Sequence, residues 1–548
     1  MSISPTKPPR FYVTTPIFYV NDVPHIGHAY CTVVADVLAG YHRLLGIPTW
    51  FQTGTDEHGQ KAQLAAEARG ITPQQLCDEY SKVFRDLDAR LAIRHDDFIR
   101  TTEERHRSVV TKVLDRLWAS GDIYLKDYEG WYCTRCERFW NDSEVAEAGG
   151  RCPDQPALHE VARLREPNYF FRMSKYAPEL QRQIEADEFR IIPEKRKNEI
   201  LGYLRQGVAD LCISRDRTRV SWGIPLPFDP KFVCYVWLDA LFNYETAVGY
   251  LSDEKRHAQW WPADLHVVGK DILTQHCVYW PTFLLAVGEP LPRRVLGHGW
   301  LLDSEGLKLS KTKKQTSGAS AGKPQPSIDS LLAVLGVETT RWFLATAMKY
   351  GDDATLDWDV VLGRVNSELA NGLGNSVNRL LRMAQQSCGG RLAARGPGNE
   401  TEQGLRRAAE AAIAAVEAVP GTFDVLAVTT AVRAAVDAVS LYLDAERPWK
   451  AAKDPANLPR VAEVLSWSVE TIRVAGLALT PVMPEACGRL RASFGATGPL
   501  DYARESRWGF VPEGTPLGEP PNLFPRIDPK SIPDASASAS APGAGAAG

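Results

Sequence analysis

The chain has 548 residues, a net charge of −4, 44% hydrophobic and 24% charged residues. These are soluble globular values and exclude a wholly disordered or collagen-like chain; at roughly 150 residues per domain, three or four domains are expected. No apolar run approaches the ~18–20 residues of a membrane span, residues 1–10 lack the apolar core of a secretory signal, and there is no global basic footprint for nucleic acid, although such footprints are often local.

Residues 11–19 read as a strand running into a loop. Helical periodicity follows over residues 27–45, through Val33, Val34, Val37, Leu38, Tyr41, Leu44 and Leu45, and Gly46 and Pro48 stop it. Residues 49–53 read as the next strand. His25-Ile26-Gly27-His28 therefore lies at a strand-to-helix junction, where free N–H groups and the helix dipole favour a phosphate. Gly27 lets a ligand approach the backbone. The two histidines are either donors to phosphate oxygens or turn residues capping the helix. Thr53-Gly54-Thr55-Asp56-Glu57-His58-Gly59 sits at the carboxyl end of the second strand, where open parallel sheets bind ligands. There Asp56 either holds a cation, such as an amino group, or caps the next helix. Residues 232–237 and 265–268 are further β-like runs among helical patterns, and the alternation up to residue 309 predicts βαβ units and a parallel sheet.

Cys133 and Cys136 have C-x2-C spacing, and Cys152 follows 16 residues after Cys136. Such spacing fits a knuckle around tetrahedral zinc, or a knuckle held by packing without metal. The scattered Cys31, Cys77, Cys212, Cys234, Cys277, Cys388 and Cys487 read as small buried hydrophobes. Residues 313–326 are a basic, Gly- and Ser-containing stretch that interrupts folded chain. Residues 327–491 are alanine-rich and helical, as in the spacing of Val425, Val428, Val432, Val436 and Val439. Residues 535–548 are only Ala, Ser, Pro and Gly, too poor in apolar surface to order.

His25-Ile26-Gly27-His28 resembles the HIGH signature of class I aminoacyl-tRNA synthetases. Lys308-Leu309-Ser310-Lys311-Thr312, roughly 280 residues later, looks like their KMSKS signature. Residues 13–21 (VTTPIFYVN), 53–59, 235–240 (YVWLDA) and 268–272 (VGKDI) are similar to the methionyl-tRNA synthetases of that class, over roughly residues 10–490. The resemblance implies an α/β fold. A Rossmann-like parallel-sheet catalytic domain would occupy residues 11–123 and 170–326, the second half carrying the KMSKS-like loop. A connective insertion with the Cys knuckle would span 124–169, and an α-helical bundle binding the anticodon 327–491. A flexible N-terminus (1–10), a C-terminal extension (492–534) and a disordered tail (535–548) complete the expectation.

It also implies a methionine–tRNA ligase reaction. ATP-dependent activation of L-methionine would give methionyl-adenylate, and the methionyl group would pass to the 3′ end of tRNA(Met), the initiator tRNA included. ATP would bring Mg²⁺ and contact His25, Gly27, His28, Lys308, Ser310 and Lys311, with His25, His28, Lys308 and Lys311 catalytic. The methionine site would be Ile17, Tyr19, Asp56, Arg215, Trp237, Leu241, Tyr244, Ile272 and His276, with Asp56 on the amino group and His276 as one polar group able to contact the sulfur. Leu241 stands where some members have proline. Asn375, Arg379 and Trp449 would read the anticodon. Structural Zn²⁺ would use Cys133, Cys136 and Cys152. The family's usual fourth ligand position is Gln155 here, and His159 is the nearest alternative. A thioether suits an aromatic pocket, and the stretch between signatures is short for the editing domain that branched-chain discrimination requires.

Residues 313–326 replace the short turn that usually follows KMSKS, as a tolerated insertion or a contact to tRNA phosphate. The alternative functions are another HIGH-type nucleotidyl transferase, a different class I synthetase, or a non-catalytic tRNA-binding paralogue; the intact His25, His28, Lys308 and Lys311 argue against the last. A cytoplasmic monomer with no membrane partner is expected, since little chain follows residue 490 for a dimerising domain.

Overall fold

The computed structural model describes residues 10–133, 138–140, 142–154, 159–309 and 324–532. Two compact units are present. One comprises Met1–Pro24, Thr49–Ala89 and Arg94–Gly299, and the other His25–Pro48, Arg90–Ile93 and Trp300–Gly548.

The first unit is built on a seven-stranded sheet. Its order is Phe18–Tyr19, Thr49–Asp56, Phe11–Thr14, Leu265–Gly269, Arg294–His298 and Arg190–Ile192, with Asp97–Arg100 also pairing on Thr49–Asp56. Every pairing is parallel. Tyr12, Val13, Phe51, Val267, Val268, Val295 and Leu296 are fully buried, which is why these strands read as apolar runs rather than alternation. The central strand Phe11–Thr14 has later strands on both sides, so the topological switch point lies at its carboxyl end.

Three sequence expectations need correction here. The strand Thr49–Asp56 continues through Asp56, beyond the expected stop at residue 53, because Asp97–Arg100 pairs with Gln52 to Thr55 and satisfies their backbone groups. The run 232–237 is not part of the parallel sheet. Asp229–Cys234 is the middle of an antiparallel sheet with Ser214–Asp216 and Pro225–Leu226, and Val236–Leu241 is a helix. The two-residue turn Pro227-Phe228 allows immediate antiparallel pairing, whereas parallel pairing needs a crossover. The insertion is also wider than 124–169. Its long hairpin pairs Ile123 with Phe171 through to Tyr132 with Ala162, and Phe170 and Phe171 pair on to Cys212 and Leu211.

In the second unit the helix Ile26–Leu44 groups with the helices after residue 300. Arg341, 1% exposed, fixes this grouping. Its guanidinium contacts Asp36 Oδ2 at 2.7 Å and donates to the carbonyls of Leu91, Pro481 and Val482 at 3.0, 3.0 and 3.1 Å. The chain from Trp300 also groups with this unit, and Leu301–Leu302 pairs with Ala354–Thr355. The helices Glu400–Thr422, Val425–Glu446 and Leu458–Leu477 pack on one another. Val425–Ala451 is long and apolar enough to cross a membrane by length and composition, although Arg433 and Asp437 interrupt it, so no uninterrupted apolar run of that length is present. Valine supplies most of that hydropathy, and Val425, Val428, Val432, Val436 and Val439 are buried in the bundle.

The C-terminal extension folds onto these helices as far as Ile532. Arg473 donates to the carbonyls of Glu505 and Arg507. Asn366 exchanges two hydrogen bonds of 2.9 Å with the Ile527 backbone, and Val511, Leu517, Leu523 and Phe524 are buried. The expected N-terminal arm up to residue 9, the 313–323 stretch and the 535–548 tail lie outside the described residues.

Candidate active site

In the first unit the predicted side-chain pocket gathers at the carboxyl ends of the central strands. The parallel ladder sets Tyr19 beside Asp56, the last residue of its strand. Tyr19 meets Trp237 edge-on at 6.3 Å between ring centroids, and Trp237 meets His276 the same way at 6.3 Å. Tyr244 lies 5.8 Å from His276. Tyr19, Trp237 and Ile272 are half-buried and pack on a core that includes the buried Leu241 and Tyr244. Ile17 is half-buried on the link between the strands Phe11–Thr14 and Phe18–Tyr19.

His276 lies on a wide π-type turn, Gln275–Tyr279, that opens into the helix Trp280–Val287; such turns are frequent at functional sites. Burial lowers its pKa to about 4, so the ring is neutral near pH 7. Nδ1 lies 2.8 Å from the Ile272 carbonyl and Nε2 lies 2.7 Å from Tyr244 Oη. A carbonyl only accepts, so Nδ1 carries the proton and Nε2 accepts from the tyrosine hydroxyl. Both ring nitrogens are thus engaged. The expected polar contact of His276 to a sulfur would therefore come from a neutral ring whose two nitrogens already hold Tyr244 and the Ile272 carbonyl.

Sequence reasoning missed the supports of this cluster. His266 lies tilted against Tyr244 with ring centroids 4.3 Å apart, faces Thr14 Oγ1 from Nδ1 at 2.7 Å, and accepts from Trp280 Nε1 at 3.3 Å. Burial, with His276 adding, holds its pKa well below the usual value. Asp239, fully buried, faces His58 Nδ1 at 2.7 Å and His106 Nε2 at 2.8 Å. Burial opposes its ionisation, yet the two imidazoles bring its pKa down to about 2. This clasp joins the segment after Asp56 to the helix bearing Trp237. Glu57, beside Asp56, is held by Arg100 at 2.7 and 3.0 Å. The polar residues inside the 53–59 and 235–240 motifs were the available signal. Arg215 is buried, with its guanidinium 4.6 Å from the Tyr235 ring and 5.4 Å from Tyr132, and donates to the Ser214 carbonyl.

In the second unit the HIGH-like tetrapeptide forms a capping box. His25 Nδ1 accepts from the Gly27 N–H, and His28 Nδ1 accepts from the His25 N–H, each at 3.0 Å. The rings stack at 3.8 Å. Two accepting Nδ1 atoms put the proton of each neutral imidazole on Nε2, so the helix start presents two N–H donors. Capping and phosphate donation, posed as alternatives from sequence, are therefore compatible. A Cβ on Gly27 would come within 2.9 Å of His25 Cε1, so this glycine serves the cap. Lys308 pairs across a tight hairpin with Leu302, its ammonium 4.5 Å from the Trp300 ring. Ser310 and Lys311 lie outside the described residues.

Elsewhere in the second unit Asn375 opens the helix Asn375–Cys388 and is exposed. Arg379, one turn on, lies over the Trp449 ring at 5.3 Å, and Trp449 is 40% exposed. In the insertion, one donor atom each from Cys133, Cys152 and His159 falls within 4.8 Å of the others. Two thiols and an imidazole fit structural zinc. Cys136 and Gln155 lie outside the described residues. The scattered cysteines are buried except Cys388, which is half-buried.

The family model described as tRNA synthetases class I (M) matches residues 11–381. A methionine–tRNA ligase of Streptomyces coelicolor is 39% identical over 95% of this chain and 97% of its own length. One of Caldanaerobacter subterraneus subsp. tengcongensis is 38% identical over 94% of this chain and 79% of its own. Among solved structures, Mycobacterium tuberculosis methionyl-tRNA synthetase bound by methionyl-adenylate superposes with a TM-score of 0.86 at 34% identity, covering 94% of this chain and 100% of its own. The parallel sheet with its switch-point cluster, the histidine cap and this similarity along the chain lead to one assignment: the protein belongs to the class I tRNA synthetases, in the division described as (M).

Proposed function

We propose that the protein is a methionine–tRNA ligase that activates L-methionine with ATP and transfers it to the 3′ end of tRNA(Met), the initiator tRNA included. The observation that carries this reading is the buried, neutral Tyr244–His276 pair beside the aromatic rings of Tyr19 and Trp237, with Asp56 at the adjoining strand end. An unbranched thioether gains ~0.3–1.5 kcal/mol from a ring contact, and a neutral site does not oppose an uncharged side chain. Asp56 binds the amino group and leaves the carboxylate to attack the α-phosphate in line. The P–O bond to pyrophosphate breaks, and the ribose hydroxyl of the tRNA then takes the methionyl group from AMP. No covalent enzyme intermediate is required, so the side chains act by position and charge. The Nε2–H groups of His25 and His28 donate to phosphate oxygens, and Lys308 and Lys311 add positive charge. Mg²⁺ bound with ATP supplies charge neutralisation on the phosphates.

Asn375, Arg379 and Trp449 read the anticodon, through stacking and hydrogen bonds to splayed bases. Zn²⁺ held by Cys133, Cys136, Cys152 and His159 stabilises the insertion. The enzyme works as a cytoplasmic monomer. ATP–pyrophosphate exchange with each of the twenty amino acids tests the central claim. Exchange with methionine, followed by charging of elongator and initiator tRNA(Met), supports it; exchange with another amino acid, or none, overturns it.

A further inference from the structure

Away from the residues assigned above, three side chains of the first unit converge. Glu245 lies on the short helix Asn243–Thr246 and is 0% exposed. His257 lies on the helix Glu254–Trp260. Glu289 follows the helix Trp280–Val287, placed by the left-handed Gly288 and a 2.9 Å bond from its own N–H to the Leu284 carbonyl. One donor atom from each lies within 4.8 Å of the others. Glu245 Oε1 is 3.3 Å from His257 Nε2, while Glu245 Oε2 is buried with no hydrogen-bond partner. Among the described residues Glu289 has no ion pair. Arg116, whose guanidinium also donates to the Tyr250 hydroxyl at 3.2 Å, offsets part of the negative charge of Glu245 and Glu289 from a distance.

Two carboxylates this close, one without access to water, are unfavourable together unless protonated or bridged by a cation. Burial pushes both carboxyls up, and Glu289 adds to the shift at Glu245. We propose that Glu245, His257 and Glu289 form a second divalent-metal site, for a zinc-class transition cation, separate from the cysteine set. One imidazole and two carboxylates suit such ions. With metal–ligand distances of ~2.1 Å, tetrahedral donors sit about 3.4 Å apart, so side-chain closure of about an ångström completes the set. The half-buried His257 and Glu289 provide an entry path, and water fills the remaining position. The ion ties together three segments and removes the cost of burying Glu245 as an anion.

The test titrates chelator-stripped full-length protein with Zn²⁺ against a chromophoric chelator. It compares the wild type with Glu289→Gln and with His257→Gln, which alter the more accessible ligands and leave the buried Glu245 in place. The expected result is one fewer equivalent of zinc in each variant, or an affinity at that site lowered about tenfold or more, while Cys152→Ser retains it. Excess Zn²⁺ should also raise the thermal midpoint of the wild type more than that of either variant. Equal stoichiometry and equal zinc-induced shifts in wild type and variants would overturn the proposal and leave a protonated carboxyl pair.

Discussion

The polar groups at the switch point act through protonation states that the surrounding packing sets. His276 ordinarily titrates at 6.5 but is lowered to about 4 by burial. Above pH 6.5 neither the folded nor the unfolded chain protonates it. Between 6.5 and 4 only the unfolded chain does, so stability falls as pH drops through this window, by about 3 kcal/mol for this group. Denaturant melts from pH 7.5 to 4.5 should show that slope, and His276→Gln should flatten it; an unchanged slope would assign the acid sensitivity elsewhere, with His266 the next candidate. At Asp56 the expected consequence is catalytic. Removing one charge-assisted bond of ~1.5–3 kcal/mol by Asp56→Asn should lower kcat/KM for methionine about 10- to 100-fold in pyrophosphate exchange, with little change in the KM for ATP.

At the scale of elements, short contiguous motifs were readable because their chemistry is local. The histidine cap uses a donor two residues and another three residues from its acceptor, so the tetrapeptide alone encodes it. Helical periodicity likewise located the Ile26–Leu44 helix to within a residue. Strand partners were less readable, because residues 232–237 satisfy the same β pattern in a parallel or an antiparallel ladder. The Arg379–Trp449 pair belongs to this scale too, since it joins two helices. An exposed ring under a guanidinium presents a face to a stacking base, worth ~1–3 kcal/mol. Trp449→Ala should therefore cut tRNA charging about tenfold while leaving pyrophosphate exchange intact. Equal losses in both assays would point to damage of the fold instead.

Across the whole molecule, buried polar anchors decide how distant segments assemble. Arg341 contacts groups at positions 36, 91, 481 and 482, so Arg341→Ala removes the guanidinium that pairs with the fully buried Asp36 carboxylate. Loss of one partner of a buried pair costs ~3–5 kcal/mol, and urea unfolding should show a drop of that order in the second unit. Composition and periodicity were enough to indicate an α/β part followed by a helical part, and the short motifs to indicate the family resemblance; the residues of the aromatic cluster followed only from that resemblance. Those features rest on interactions between near neighbours or on side-chain types in short, ordered motifs. The clasp of Asp239 by His58 and His106 spans sequence separations of 181 and 133 residues, and the tautomer of His276 depends on a carbonyl and a hydroxyl brought to it by packing. The same holds for the folding of residues 501–532 onto the helices and for the Glu245, His257 and Glu289 cluster. No local pattern encodes such contacts. They exist because an unpartnered buried polar group is costly, and which partner is near is settled by how the chain packs.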